Sequence, residues 1–174
     1  FLKSGIIEAH GLEEFIDGVK ALSMQNPPMG NRILIVTNGG GFGVIVADHC
    51  SENGLEVPPP SPQLREKLGS KFSTFYVVNN PVDLTGSACD RDYYIALNAC
   101  MIESDEYDAA IIIPLMAPQG MSEKVVDLIT ETMKRSGKPA VICTVGGAFT
   151  MKIKGLFEER EFPVYPSPER SARA

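Results

Sequence analysis

The sequence has 174 residues, 44% of them hydrophobic and 22% charged, which is the size and composition of one ordinary globular domain. A formal net charge of -6 and a pI of about 5.0 argue against nucleic acid or an anionic membrane surface as the main partner. No apolar run approaches the ~20 residues that a membrane-spanning helix needs, and no signal peptide is recognisable. These observations favour a cytoplasmic protein that has neither a nucleic-acid nor a membrane partner.

The cysteines are Cys50, Cys89, Cys100 and Cys143. None of them pairs with another in a C-x-x-C spacing, which disfavours a zinc ribbon, and no metal site is predicted. We interpret all of them as small apolar residues in a reducing cytoplasm, and not as disulfide partners or nucleophiles.

Residues 1–29 are predicted to form a helical arm that arrives from a preceding domain. Apolar side chains recur with helical spacing over residues 12–23, and the segment "QNPPMG" ends that pattern. The sequence opens without Met, and near its other end Ser167 and Pro168 have the form of an N-cap and first residue of a helix. We therefore expect both ends to continue in a longer protein.

From residue 30 onward, apolar segments alternate with helical ones. Strands are predicted at 32–37, 55–57, 73–78, 108–115 and 139–145, with a last short extended piece at 163–167. Helices are predicted at 43–54, within 58–70, and at 90–104, 122–137 and 147–161, with Asp90 and Ser122 as N-caps and Gly54 and Gly137 as C-caps. Strands that are almost wholly apolar and alternate with helices indicate a parallel sheet covered on both faces. The expected fold over residues 30–174 is α/β: a doubly wound, mostly parallel five-stranded sheet of the flavodoxin-like type.

In such sheets, ligands bind beyond the carboxyl ends of the strands. The most unusual loop there is "TNGGGFG", residues 37–43, in which glycines lead into a helix. A helix N-terminus offers unpaired N–H groups and partial positive charge, and glycines let a ligand approach the backbone. This loop predicts an anion site that needs no Lys or Arg. The alternative is that the glycines only permit a tight turn against a neighbour. At Gly41 we expect a positive φ.

Free nucleotide binding is disfavoured. The loop does not match G-x-G-x-x-G, because Val44 and Val46 stand where the later glycine would be, and no Lys-Ser/Thr pair follows as in a Walker A loop. The segment after residues 55–57 is "PPPS" and carries no acidic residue that would bind a ribose.

Several segments together resemble one α/β domain of the ADP-forming (NDP-forming) acyl-CoA synthetases, the relatives of succinyl-CoA synthetase that include ADP-forming acetyl-CoA synthetase. They are "NRILIVTNGGGFGVIVADHCSENGLEVP", "NNPVDLTG", "DAAIIIPLMAPQ" and "GKPAVICTVGG", in matching order and spacing over nearly the whole chain. The resemblance implies an enzyme that converts an acid, CoA and ATP into acyl-CoA, ADP and phosphate through a phosphohistidine. It implies that the glycine-rich helix N-terminus holds the phosphate of that phosphohistidine, at Asn38, Gly39, Gly40, Gly41, Phe42 and Gly43. Phe42 departs from the small residue or Pro expected there, which puts the shape of the acyl pocket in question.

The same resemblance implies partners. A CoA-binding domain, an ATP-grasp nucleotide domain and the segment with the phosphorylated histidine would be supplied by other domains or subunits, with CoA, ATP or ADP, and Mg as the cofactors of the complete enzyme. No cofactor is expected on this chain alone, where the ligand would be phosphate or a small carboxylate. We interpret His10 and His49 as surface or packing residues, so the chain by itself is predicted to be catalytically inactive.

Two further loops carry secondary candidates for the same site. Asn80 and Asp83 lie in "NNPVDLTG", where Asp83 either caps its own loop or contacts the acyl or phosphate group. Gly146 and Gly147 open the last long helix and form either a second anion nest or a tight turn. A different class of function also fits these features: a non-catalytic flavodoxin-like module for anion binding or assembly.

Overall fold

The computed structural model describes residues 7–72 and 74–174. Its strands are β1 Ile33–Thr37, β2 Val82–Asp83, β3 Ala109–Ile113, β4 Ala140–Cys143 and β5 Val164–Tyr165. Its helices are α1 Leu12–Met24, α2 Gly40–Glu52, α3 Pro62–Gly69, α4 Asp90–Leu97, α5 Lys124–Ser136, α6 Ala148–Glu158 and α7 Pro168–Arg173, and α4 continues into a π-helical turn, Asn98–Ile102. None of the described helices is long and apolar enough to cross a lipid bilayer.

The strands form one five-stranded sheet in the order β2-β1-β3-β4-β5, and every neighbouring pair is parallel. This is the flavodoxin-like order, in which the chain reverses its direction of travel across the sheet between β1 and β3. The predicted fold class is therefore confirmed. The unbroken apolar strands β1 and β3 lie at the centre because both of their faces are buried.

Two of the predicted strands are wrong. Within 55–57 only Glu56 makes a bridge, to Arg32, and within 73–78 only Val77 does, to Asp83; Ser73 lies outside the described residues. The edge position next to β1 is taken by β2, in the loop that was expected to follow the third strand, and the extended piece at 163–167 supplies β5.

Asn80 explains why the edge strand β2 is so short. Its side-chain Oδ1 accepts a hydrogen bond from the Ile35 N–H at 2.9 Å, and its Nδ2 donates to the Ile33 carbonyl at 2.7 Å. One buried amide side chain thus pairs with the outer edge of β1 as a neighbouring strand would. The backbone polar groups of β1 are satisfied without more residues in β2. The Asn80–Pro81 peptide bond is cis.

Alternating strand residues supply two cores. Leu34, Val36 and Ile112 face α4, α5 and α6 in the larger one, whereas Ile35 and Ile111 face α2 and α7 in the smaller. The smaller core includes Cys50 and Cys143, and the larger includes Cys100. All four cysteines are free, and burial raises the pKa of Cys50 to about 11 and that of Cys100 to about 12.

Two N-cap predictions are each wrong by one residue. The N-cap of α4 is Cys89, and Asp90 is the first helical residue. The Asp90 carboxylate instead accepts hydrogen bonds from the backbone N–H of Ser122 at 2.8 Å and from its hydroxyl at 2.5 Å. The N-cap of α5 is Glu123, and the Ser122 hydroxyl oxygen accepts a hydrogen bond from the N–H of Lys124, the first helical residue, at 3.3 Å. The C-cap prediction for Gly137, which has a φ of 68°, is confirmed.

Candidate functional site

The candidate site lies at the carboxyl edge of the sheet, above β1 and β3. The connection after β1 leads into α2, and the connection after β3 leads toward α5 on the opposite face of the sheet. Neighbouring connections that leave in opposite directions open a crevice, which is the usual ligand position in this fold. The loop at residues 38–43 forms one wall of this crevice.

Thr37 and Asn38 fix the shape of that loop. The Thr37 hydroxyl oxygen accepts a hydrogen bond from the Gly39 N–H at 3.0 Å. Asn38, only 4% exposed, accepts from the Leu115 N–H at 2.9 Å and donates to the Leu115 carbonyl at 2.8 Å. Both ends of the Asn38 amide are therefore engaged in joining the loop after β1 to the loop after β3. Asn38 shapes the crevice and does not present a free polar group to it.

At three glycines of the loop, an added Cβ would force a neighbouring side chain to shift. A Cβ on Gly39 would lie 2.5 Å from Cδ1 of Leu115, and a Cβ on Gly40 would overlap Oδ2 of Asp83. On Gly43 it would lie 2.9 Å from the Thr37 methyl group and 3.2 Å from Pro81. The tight-turn interpretation thus accounts for these three positions.

Gly41 is different. Nothing lies within 4 Å of a Cβ built on it, and the residue is exposed. Its φ does not lie in the left-handed region, so the expected positive φ is wrong; the residue is in the first turn of a regular helix. Neither packing nor backbone conformation requires a glycine here. An open approach to the backbone is the property that Gly41 provides.

The first turn of α2 also has unused donors. The N–H groups of Phe42 and Gly43 both point back to the Gly39 carbonyl, at 2.9 and 3.3 Å. The N–H groups of Gly40 and Gly41 have no hydrogen-bond partner within the described part of the chain, as is normal for the start of a helix. These two donors, with the partial positive charge of the helix end, are the anion-binding capacity of the site.

Asp83, the last residue of β2, lies against this helix end. Its Oδ1 accepts a hydrogen bond from the Thr85 N–H at 2.8 Å, so the carboxylate caps its own loop, while Oδ2 faces Gly40. Thr85 has a φ of +55°, a strained conformation for a β-branched residue. A carboxylate here stabilises the helix end and repels any second anion at Gly40. An incoming anion is therefore best accommodated on the Gly41 side.

Asn80 is occupied elsewhere. Besides its two contacts to β1, its Nδ2 donates to the Pro58 carbonyl at 3.1 Å, and the side chain is buried. The structure thus brings Asp83 to the N-terminus of α2, whereas the Asn80 side chain lies along the outer edge of β1 and takes no part in the site.

Gly146 and Gly147 follow β4 and precede α6. A Cβ on Gly146, whose φ is +153°, would overlap the Thr150 hydroxyl, whereas Gly147 has open space. Since β3 separates β4 from β1, this turn is about 10 Å from the first loop, twice the spacing of adjacent strands. The turn therefore lies at the same carboxyl edge of the sheet but is separate from the N-terminus of α2.

Two residues that the sequence did not single out hold the loop between these walls. Thr144 donates to the Pro114 carbonyl at 3.1 Å, and the buried Tyr93 hydroxyl donates to the Ile113 carbonyl at 2.8 Å. Burial raises the pKa of Tyr93 well above its usual value. Leu115 is bound by Asn38. In the sequence, only the position of Thr144 directly after an apolar strand could have indicated such a contact at the carboxyl edge of the sheet.

The two histidines lie away from the crevice. His49, in the last turn of α2, has its Nδ1 2.7 Å from a carboxylate oxygen of Glu52 and its Nε2 3.8 Å from one of Glu169. The His10 backbone N–H donates to Glu14 at 3.0 Å. Within residues 7–72 and 74–174, no group of three or more His, Cys, Asp or Glu is placed to hold a metal ion.

Proteins of known activity are similar to the whole chain. The alpha subunit of an ADP-forming acetate–CoA ligase (I) of Pyrococcus furiosus is 30% identical over 177 residues, a match that covers 100% of this chain and 38% of the subunit. An ADP-forming acetate–CoA ligase (I) of Archaeoglobus fulgidus is 30% identical over 178 residues, covering 100% of this chain and 24% of the relative. The chain thus spans well under half the length of these relatives.

Solved structures give the same result. The dinucleotide-forming acetyl-coenzyme A synthetase 1 of Ca. Korarchaeum cryptofilum, in complex with phosphate and ADP, superposes with a TM-score of 0.88 at 30% identity, over 98% of this chain and 37% of that one. A crystal structure from Pyrococcus horikoshii superposes with a TM-score of 0.91 at 31% identity, over 100% of this chain and 40% of that one.

The resemblance to ADP-forming acyl-CoA synthetases is therefore confirmed. A family model described as the Ligase-CoA domain matches residues 33–168, which include every strand of the sheet and the whole loop at residues 38–43. The chain belongs to the Ligase-CoA domain family.

Proposed function

We propose that this chain is one domain of an ADP-forming acyl-CoA synthetase and that the N-terminus of α2 receives the phosphoryl group during turnover. The observation that carries the proposal is the match of the entire chain to ADP-forming acetate–CoA ligases at 30% identity. The complete enzyme would join an acid to CoA while ATP is converted to ADP and phosphate, through a phosphohistidine on another domain.

The geometry at Gly41 supports the second part of the proposal. Gly40 and Gly41 offer free N–H donors at a helix end, and Gly41 leaves the approach to them open. A phosphoryl group delivered here would be stabilised by roughly 1 kcal/mol, or more where water is excluded. The helix end binds and orients that group; the nucleophile, the nucleotide and the CoA come from elsewhere.

Phe42, Gly146 and Gly147 have secondary roles in the proposal. Phe42 is half-buried against the smaller core, so its ring shapes the base of the crevice more than its mouth. The open turn at Gly147 is a second position at which a ligand can approach the backbone. CoA, ATP or ADP, and Mg are proposed for the complete enzyme, on CoA-binding and ATP-grasp domains or subunits outside this chain.

The experiment compares Gly41→Val with Gly155→Val in the complete ligase. Both glycines are helical, and nothing lies within 4 Å of a Cβ built on either one. Each variant therefore loses the same backbone freedom and gains the same side chain. The predicted result is that Gly41→Val lowers acyl-CoA formation by at least about 100-fold (~2.7 kcal/mol), because the branched side chain blocks the phosphoryl group, while Gly155→Val keeps nearly full activity.

Circular dichroism and thermal unfolding of both variants control for folding. A folded Gly41→Val enzyme whose turnover equals that of Gly155→Val would refute the proposed role of the helix end. In that case the phosphoryl path lies elsewhere on the enzyme.

A further inference from the structure

The outer face of α1 is apolar although it faces solvent. Five large side chains of this helix are between 51% and 75% exposed. They are Leu12, Phe15, Ile16, Val19 and Leu22, which recur with the three- and four-residue spacing of one helical stripe. We call these five residues the α1 outer face. A contiguous exposed stripe of this kind is unusual for a free-standing domain and marks an interaction surface.

The polar side of α1 is the side that packs on the domain. Asp17 is only 2% exposed, and its carboxylate accepts hydrogen bonds from Arg170 Nε at 2.8 Å and Nη2 at 2.6 Å. The Tyr165 hydroxyl donates to the Asp17 carbonyl at 2.9 Å. Lys20 pairs with Glu158 and donates to the Val164 carbonyl at 2.6 Å.

These contacts fix the rotation of α1. Turning the helix so that its apolar stripe packed inward would break the ion pairs that Asp17 makes with Arg170 and Arg173. The outward position of the apolar stripe is therefore built into the sequence through Asp17 and Arg170. The helix α1 is therefore docked on the domain in one defined orientation.

A groove of about 300 Å³ continues the α1 outer face toward α7. Phe15, Val19 and Leu22 form one side of it, and Ala174 lies on the other. Of the charged residues that line the groove, Glu8 is exposed, Glu14 is partly exposed, Asp17 is paired with Arg170, and Arg173 adds a cationic side chain. The surface is thus apolar along α1, with charged side chains of both signs at its rim.

Building on the proposed function, we propose that the α1 outer face packs against another domain of the same ligase polypeptide. The Pyrococcus furiosus alpha subunit aligns with 100% of this chain, α1 included, and has more than half of its length left over, since the match covers only 38% of it. The five side chains expose on the order of 400 Å² of apolar surface, which is less than the ~800 Å² per partner that a stable interface between two separate proteins buries. A patch of this size is sufficient when the two domains are tethered, because the tether raises the effective concentration.

The chemistry of the surface describes the contact expected on that other domain. It is an apolar helix or sheet face with polar or charged side chains at the edge that meets Glu8, Glu14 and Arg173. A second copy of this chain is a poorer fit, since the α1 outer face presents less area than a stable interface between two separate chains needs.

Hydrogen exchange measured by mass spectrometry tests the inference. In the complete ligase, the amides of α1 should exchange at least about tenfold more slowly than in the isolated chain, because the α1 outer face is covered. Introducing Ile16→Glu and Val19→Glu together should abolish that extra protection. Val77→Glu is the matched control, because Val77 is an equally exposed apolar residue at the opposite edge of the sheet, beside β2, and should leave it unchanged.

Circular dichroism of the isolated variants establishes that α1 still forms. Equal exchange of α1 in the complete ligase and in the isolated chain would overturn the inference, and so would a dimer of the isolated chain that dissociates with Ile16→Glu and Val19→Glu. Neither readout depends on turnover. A ligase that protects α1 but is insensitive to Gly41→Val contradicts only the proposed function, and the reverse pattern contradicts only this inference.

Discussion

At the scale of single residues, the candidate site depends on an unusual pair of neighbours. A carboxylate, Asp83, and an open helix end, Gly40 to Gly41, share one corner of the sheet edge. The negative charge of the Asp83 carboxylate offsets part of the positive potential of that helix end, and it also repels an anionic ligand. The structure therefore predicts that Asp83 limits the affinity of the free site for phosphate.

Replacing Asp83 by Asn tests this balance. Removing one negative charge a few ångströms from the ligand should strengthen phosphate binding about fivefold, or ~1 kcal/mol, because that is the Coulomb energy of a solvent-exposed pair at this range. Isothermal titration with inorganic phosphate at low ionic strength gives the number, and Asp48→Asn, late in α2, is the control. Weaker phosphate binding by Asp83→Asn would mean that the carboxylate organises the site instead of competing for it.

At the scale of elements, the sheet has one strand that is partly replaced by a side chain. β2 pairs with β1 only at Val36 and Thr37, and the Asn80 amide pairs with the outer edge of β1 at Ile33 and Ile35. If Asn80 is removed, a buried N–H and a buried carbonyl lose their partners. Such unsatisfied groups are expensive, at roughly 1–3 kcal/mol each.

The adjacent Asn79 provides a matched test of that assignment. Asn80→Ala should lower the free energy of unfolding by about 2–4 kcal/mol, whereas Asn79→Ala, which removes only an exposed 3.2 Å contact with Arg65, should change it by less than about 1 kcal/mol. Urea unfolding followed by circular dichroism measures both. Similar losses in the two variants would show that the edge of β1 does not depend on the Asn80 amide.

The same elements show how far the sequence predicts the structure. β1, β3 and β4 were predictable because a run such as residues 33–36 is wholly apolar and is expected to be buried on both faces. β2 was not, because its place in the sheet depends on the Asn80 side chain and not on an apolar pattern. The segment 73–78 has β-branched and aromatic residues that are typical of a strand, but the outer edge of β1 is already paired.

The site could be predicted in position but not in detail. Glycines opening a helix after a buried strand indicate a ligand edge. That Gly39 and Gly40 are packing residues could not be read from the loop, because their neighbours, Leu115 and Asp83, come from distant parts of the chain. Only the three-dimensional contacts separate Gly41 from the glycines beside it.

At the scale of the whole molecule, the chain combines a self-contained sheet with two surfaces that point outward. Apolar side chains cover both faces of the sheet, so the domain has its own core. The carboxyl edge carries the free N–H donors at the start of α2, and the α1 outer face is an exposed apolar surface. A domain that binds a delivered phosphoryl group and docks on a tethered neighbour is what the proposed ligase requires of it.

A titration of the ¹⁵N-labelled chain with inorganic phosphate, followed by NMR, decides whether the N-terminus of α2 binds an anion. The amides of Gly40 and Gly41 should show the largest shift changes, because theirs are the free N–H donors at the helix end. Those changes should saturate, and they should disappear in Gly41→Val but not in Gly155→Val. If the amides of residues 39–43 stay unchanged while others move, the anion binds elsewhere and the account of this helix end is wrong.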